Sequence, residues 1–125
     1  MRFKLFVYGT LKHGFTNHFY LQNAKYLGKA QTLFAYPLIA PKKIYPYLVD
    51  SKGVGKIVKG ELYEVDIATL KRIDRLEEVP RYYKRGLIDV VDESGKRYKA
   101  YTYFVAFPLP YRQFAFLEEF LPPKQ

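Results

Sequence analysis

The hydrophobic period of this chain changes once, at Asp66, and that change restricts the fold more than any other feature. Lys56-Ile57-Val58-Lys59-Gly60-Glu61-Leu62-Tyr63-Glu64-Val65 alternates: Ile57, Lys59, Glu61, Tyr63 and Val65 fall on one side, Val58, Gly60, Leu62 and Glu64 on the other. That is the period of a strand. Directly after it, Ile67, Leu70, Ile73, Asp74 and Glu77 take i, i+3, i+4 spacing. Asp66 is a good N-cap, and Pro80 cannot continue a helix. The spacing predicts a helix over about 67–76, the best in the chain.

The remaining segments are mostly strand-like and joined by short turns. Residues 3–8 and 25–35 form apolar or alternating runs, with Gly28 placed for a bulge. Tyr36-Pro37-Leu38-Ile39-Ala40-Pro41 and Tyr45-Pro46-Tyr47-Leu48-Val49 are short extended pieces whose prolines keep them at edges. Residues 83–91 and 96–105 pair around the turn Asp92-Glu93-Ser94-Gly95. Thr16-Asn17-His18 offers caps for a short helix over about 17–23, and a last helix is predicted over about 110–120 with Phe114, Leu117 and Leu121 inward. Strands thus outnumber helices. The expected class is α+β: a small mixed, mostly antiparallel β-barrel flanked by two or three short helices. A single domain over residues 1–125 is expected.

Composition narrows the chemistry. With no cysteine, disulfides, thiolate metal sites and a cysteine nucleophile are excluded. No apolar run is long enough to cross a membrane, and Met1-Arg2-Phe3-Lys4 leads straight into strand sequence, so a cytoplasmic protein without membrane partner is expected. The formal charge is +9, but the Lys and Arg residues are scattered and no nucleic-acid-binding motif is present. Nucleic acid is therefore not the expected partner; the charge would equally draw in a small anionic substrate. His13 and His18 form no ligand constellation, so neither a metal nor another cofactor is expected. Ser51 and Ser94 sit in turns, not on a nucleophile elbow.

Carboxylates remain. Asp74, Glu77 and Glu78 lie at the end of the best helix, and Leu76 and Val79 flank the glutamate pair. A carboxyl group there is disfavoured by the helix dipole and, in apolar surroundings, gains a raised pKa suited to acid–base work. The alternative is that Glu77 and Glu78 are solvated and pair with Arg81 or Arg85. The second candidate is Leu5-Phe6-Val7-Tyr8-Gly9-Thr10-Leu11-Lys12-His13-Gly14. An apolar strand that breaks into glycine leaves backbone N–H groups unpaired, able to hold a carboxylate or an oxyanion.

The order of these pieces is informative. Tyr8-Gly9-Thr10-Leu11-Lys12-x-Gly14-x-x-Asn17-His18 is followed by Gly28, Tyr36-Pro37-Leu38, Gly60-Glu61-Leu62-Tyr63-x-Val65 and Asp74-x-Leu76-Glu77-x-x-Pro80-x-x-Tyr83-x-Arg85. Over about residues 5–104 this resembles the γ-glutamylcyclotransferase-like (AIG2-like) family, and its opening motif is similar to the γ-glutamylaminecyclotransferase branch. The resemblance implies a small barrel with a pocket at its mouth and an enzyme that cyclises a γ-glutamyl compound to 5-oxoproline. It implies that Tyr8, Gly9, Thr10 and Leu11 hold the glutamyl moiety, that Glu77 is the general acid/base, and that Tyr83 lies near the site. Members often carry Gly after the catalytic glutamate, where this chain has Glu78. The other function class that the sequence admits is a non-catalytic basic barrel binding a small anion or nucleic acid.

Overall fold

The computed structural model describes residues 1–121; residues 122–125 of the expected domain lie outside the described residues. Five strands close into a barrel: β1 (Arg2–Val7), β2 (Lys25–Thr32), β5 (Lys59–Asp66), β6 (Tyr83–Asp92) and β7 (Arg97–Val105), in the order β1-β5-β2-β6-β7. Four of the pairings are antiparallel. The closing pair, β7 with β1, is parallel, with Leu5 opposite Tyr101. The short strands β3 (Leu38–Ile39) and β4 (Tyr47–Leu48) pair with each other. The register between β2 and β5 slips between Tyr26 and Gly28, so the expected bulge is present.

Alternation along β1 and β5 builds two cores. Phe6, Val58 and Leu62 point into the barrel with Ile88, Val90 and Phe104. Leu5, Val7, Tyr63 and Val65 point outward, and helix α1 (Ile67–Leu76) covers them with Leu70 and Ile73. Both faces of these strands are therefore buried, which fixes their register strongly. Asp66 caps α1 as its position predicts, its Oδ1 accepting from Thr69 N at 2.7 Å.

Two expected helices are not α-helical. Residues 17–23 form a 3₁₀ turn, His18–Leu21, without a side-chain N-cap bond, because Asn17 Nδ2 donates to Thr10 Oγ1 instead. Of residues 110–120 only Tyr111–Gln113 is helical, again 3₁₀. The segment beyond it runs as an extended strap. Leu117 N donates to Leu38 O at 2.8 Å and Lys59 N to Glu118 O at 2.7 Å, so its backbone pairs sideways with β3 and with the start of β5. Leu117 packs on the core, but Phe114 and Leu121 are exposed.

Helix α1 ends in a paired reverse turn. Glu78 N donates to Arg75 O at 3.1 Å and Val79 N to Asp74 O at 3.0 Å, the bonding of a Schellman motif. That motif puts Glu78 at φ 53°, in the left-handed region where a Cβ is costly. Glu78→Gly is therefore expected to stabilise the protein by about 1 kcal/mol, read as an upward shift in the denaturation midpoint at unchanged m-value.

Candidate active site

Three elements meet at one end of the barrel: the loop Tyr8–Leu11 after β1, the C-terminus of α1, and the start of β6. Tyr8, Gly9, Thr10, Leu11, Glu77 and Tyr83 all line one cavity of ≈ 450 Å³ there. The sequence-named candidates are thus brought together, though some 66 positions of chain separate Leu11 from Glu77.

The loop is braced from outside. Lys12 N donates to Gly9 O at 3.0 Å, Asn17 N to Thr10 O at 3.1 Å, and His18 Nδ1 to Leu11 O at 2.9 Å. These bonds consume the loop's carbonyls. The N–H groups of Gly9, Thr10 and Leu11 have no acceptor among the described residues. Gly9 also admits a close neighbour: a Cβ there would lie 2.9 Å from Pro46 Cγ. The ring of Pro46 thereby closes over the loop, and its carbonyl accepts from Tyr83 Oη at 3.0 Å.

Four groups can be sorted by their partners. Asp74 is fully engaged, with Oδ2 accepting from Arg85 at 2.6 Å and Oδ1 from Tyr103 Oη at 2.7 Å. Tyr8 Oη donates to Tyr103 O at 2.5 Å, so Tyr8 and Tyr83 both spend their protons inside the protein. Burial pushes both phenols up, and they remain neutral wall groups with oxygen lone pairs to spare. Glu77, in contrast, has neither a hydrogen bond nor an ion pair among the described residues, and its side chain is largely buried. Desolvation pushes its carboxyl up to about 7. Glu78 also lines the cavity but is exposed. Neither glutamate pairs with Arg81 or Arg85; Arg85 goes to Asp74.

Other parts of this site were not singled out from the sequence. Tyr103 links Tyr8 to Asp74, and Tyr45, Pro46 and Tyr47 supply a further side of the wall. Lys12, a cation in an otherwise ordinary turn, is only 5% exposed. Its Nζ donates to Phe120 O at 2.5 Å, tying the C-terminal strap to the end of the loop. Burial holds its amine below the usual lysine range. No local pattern gives these residues a role; the available signals were the place of Lys12 in the opening motif and the position of Tyr45, Pro46 and Tyr47 in the loop at about 36–48.

A family model described as gamma-glutamyl cyclotransferase, AIG2-like, matches residues 5–116. The chain belongs to this family. Among the relatives of this AIG2-like chain, a Methanocaldococcus jannaschii protein provisionally named a gamma-glutamylcyclotransferase is 46% identical over 101 residues, covering 80% of this chain and 82% of its own. Gamma-glutamylaminecyclotransferase C of Danio rerio is 40% identical over 110 residues, covering 79% of this chain and 72% of its own. The crystal structure of a mouse AIG2-like protein superposes with a TM-score of 0.85 at 31% identity, over 94% of this chain and 87% of that one. The closed five-stranded barrel with one helix and 3₁₀ turns is the AIG2-like fold, and the chain is an enzyme of the gamma-glutamylcyclotransferase class. No helix among the described residues is long and apolar enough to cross a membrane.

Proposed function

We propose that this enzyme cyclises γ-glutamyl amides, releasing 5-oxoproline and a free amine, with Glu77 as general acid/base. The observation that carries the reading is Glu77 itself: a carboxyl group raised to about 7, free of partners, in the same cavity as three unpaired backbone N–H groups. A γ-glutamyl amide contains its own nucleophile, the α-amine. Most of the task is therefore to hold that amine against the γ-carbonyl and to carry its protons to the departing amine.

Ionised Glu77 takes a proton from the α-ammonium. The freed nitrogen attacks the γ-carbon, forming the ring C–N bond and placing a negative charge on the carbonyl oxygen. The N–H groups of Gly9, Thr10 and Leu11 are suited to that oxyanion or to the α-carboxylate. On collapse the original amide C–N bond breaks, Glu77 returns its proton to the departing amine, and the second proton shed by the ring nitrogen goes to the same amine, which leaves as an ammonium. No water is consumed. Tyr8 and Tyr83 act as fixed neutral walls that keep the carboxyl desolvated. Relatives named gamma-glutamylaminecyclotransferase favour an amine rather than an α-amino acid as leaving group.

The test is 5-oxoproline release from γ-glutamyl-α-amino acids, γ-glutamyl alkylamines and γ-glutamyl-ε-lysine. Turnover is expected, greatest on the amine side of the panel. Absence of turnover on every member, from folded protein, would overturn the reading.

A further inference from the structure

Glu78 has no part in the reaction just described, yet its position is unusual. It is one of two non-glycine residues of the described chain at positive φ, and its carboxylate makes no hydrogen bond or ion pair among the described residues. The helix-ending turn accounts for the φ, but not for a charged side chain at a cavity rim where glycine would carry less strain. The charges on the wall point the same way. Every γ-glutamyl substrate carries an α-ammonium and an α-carboxylate. Glu77 serves the first, while Lys42, the one lysine or arginine on this wall, or the loop N–H groups, match the second. That leaves Glu78 as a negative charge without a counterpart, on the solvent side of the cavity.

Its neighbourhood suits an ammonium group. Tyr82 N donates to Glu78 O at 2.9 Å, which holds the two residues together, and both line the cavity. The Tyr82 ring is 48% exposed and stands edge-on to Phe107, with centroids 6.1 Å apart and planes at 86°. An accessible aromatic ring and an unpaired carboxylate lining one cavity are a setting that binds an alkylammonium through cation–π attraction and charge. The chain's formal charge of +9 gives a cation no long-range help, so any preference for one has to arise locally.

We propose that Glu78 and Tyr82 form a leaving-group subsite that selects γ-glutamyl amides of diamines, whose second amine is a cation at neutral pH. The proposal rests on the cyclotransferase reading. The reaction is unchanged: the cleaved amide gives 5-oxoproline and the free diamine.

The experiment compares mono-γ-glutamyl-1,4-diaminobutane with γ-glutamyl-n-pentylamide, a neutral isostere, in wild type, Glu78→Gln and Glu78→Gly. The wild type is expected to favour the diamine by about fivefold in kcat/KM, as one exposed charge pair with a cation–π contact allows. In both variants the preference should fall to about one, while Glu78→Gly melts higher than wild type. A purely structural role for Glu78 would not move the ratio. A preference unchanged in Glu78→Gln overturns the subsite. In parallel, dissociation constants of the two amides are measured on Glu77→Gln, with and without Glu78→Gln. A binding preference that needs Glu78, in a wild type without turnover, supports the subsite and overturns the cyclotransferase reading. Turnover without preference overturns the subsite alone, and absence of both binding and turnover overturns both.

Discussion

Glu77→Gln is expected to lower 5-oxoproline release by about 10²–10⁴-fold, the usual contribution of a positioned acid/base. The amide keeps the shape of the side chain and its hydrogen-bonding edge but cannot take the α-ammonium proton. Loss of fold is excluded by a second readout that moves the other way. The carboxyl of Glu77 is raised from 4.5 to about 7 by burial, so the folded protein binds a proton over that window that the unfolded chain does not. Stability attributable to this group is fully present below pH 4.5 and is lost as pH rises through about 7. At pH 8 the ionised carboxylate costs the wild type on the order of 2–3 kcal/mol. Glu77→Gln should therefore be inactive yet more stable than wild type at pH 8, with the difference shrinking towards pH 5. The wild-type activity should rise with pH through about 7, as the base ionises. Denaturant titrations at three pH values, beside the activity assay, check both. A variant with near-wild-type turnover would remove Glu77 from the reaction.

Gly60→Ala is expected to be the most damaging small substitution in the barrel. Gly60 lies on β5 against β1, and a Cβ there would collide with the backbone oxygen of Val7 and lie 2.8 Å from Phe6 Cζ. Phe6 is fully buried inside the barrel, and a strand carbonyl cannot move without breaking its ladder. The cost should be about 3 kcal/mol, a loss of roughly 10 °C in Tm for a domain of this size. Activity should fall as well, because Val7 is the last residue of β1 and the Gly9–Leu11 loop hangs from it. Gly86→Ala is the control. Its Cβ would meet the edge of the Phe104 ring at 3.2 Å, a contact that a side chain can relax. Thermal melts of the two variants should differ by several degrees; equal melts would show that the β1–β5 contact is softer than its geometry indicates.

These two residues illustrate how the chain could be read. Gly60 is legible in the sequence as one member of an alternating strand and of the family motif Gly60-Glu61-Leu62-Tyr63-x-Val65, not as a point of close contact. Its closeness to Val7 depends on β1 lying beside β5, a pairing between segments more than fifty residues apart. The carboxylate cluster holding Glu77 was locatable because its setting is local, a helix with a cap, an apolar face and a proline beyond its end; the family motif picked Glu77 from it. The same local chemistry carried β1, β2, β5, β6, β7 and the capped helix α1. It failed for residues 17–23 and 110–120, where the local signal for a helix is real but other partners compete. Asn17, a capping residue by type, is drawn to Thr10. The backbone beyond Gln113 finds Leu38 and Lys59 before it can bond along its own axis. A 3₁₀ turn and a strap result.

Alternation, capping and turn chemistry were therefore enough to determine the strands, helix α1 and a cluster of carboxylates at its end, because each rests on residues within a few positions of one another. The tertiary structure decided which carboxylate is both unpaired and shielded from solvent. Asp74, Glu77 and Glu78 lie within five positions of the sequence and share one chemistry. Arg85 and Tyr103 come from β6 and β7 to occupy Asp74, the helix-ending turn leaves Glu78 exposed at the rim, and Glu77 is left half-buried in the cavity without a partner. A pKa is set by burial and by what stands within a few ångströms, and both are properties of the closed barrel rather than of any stretch of chain.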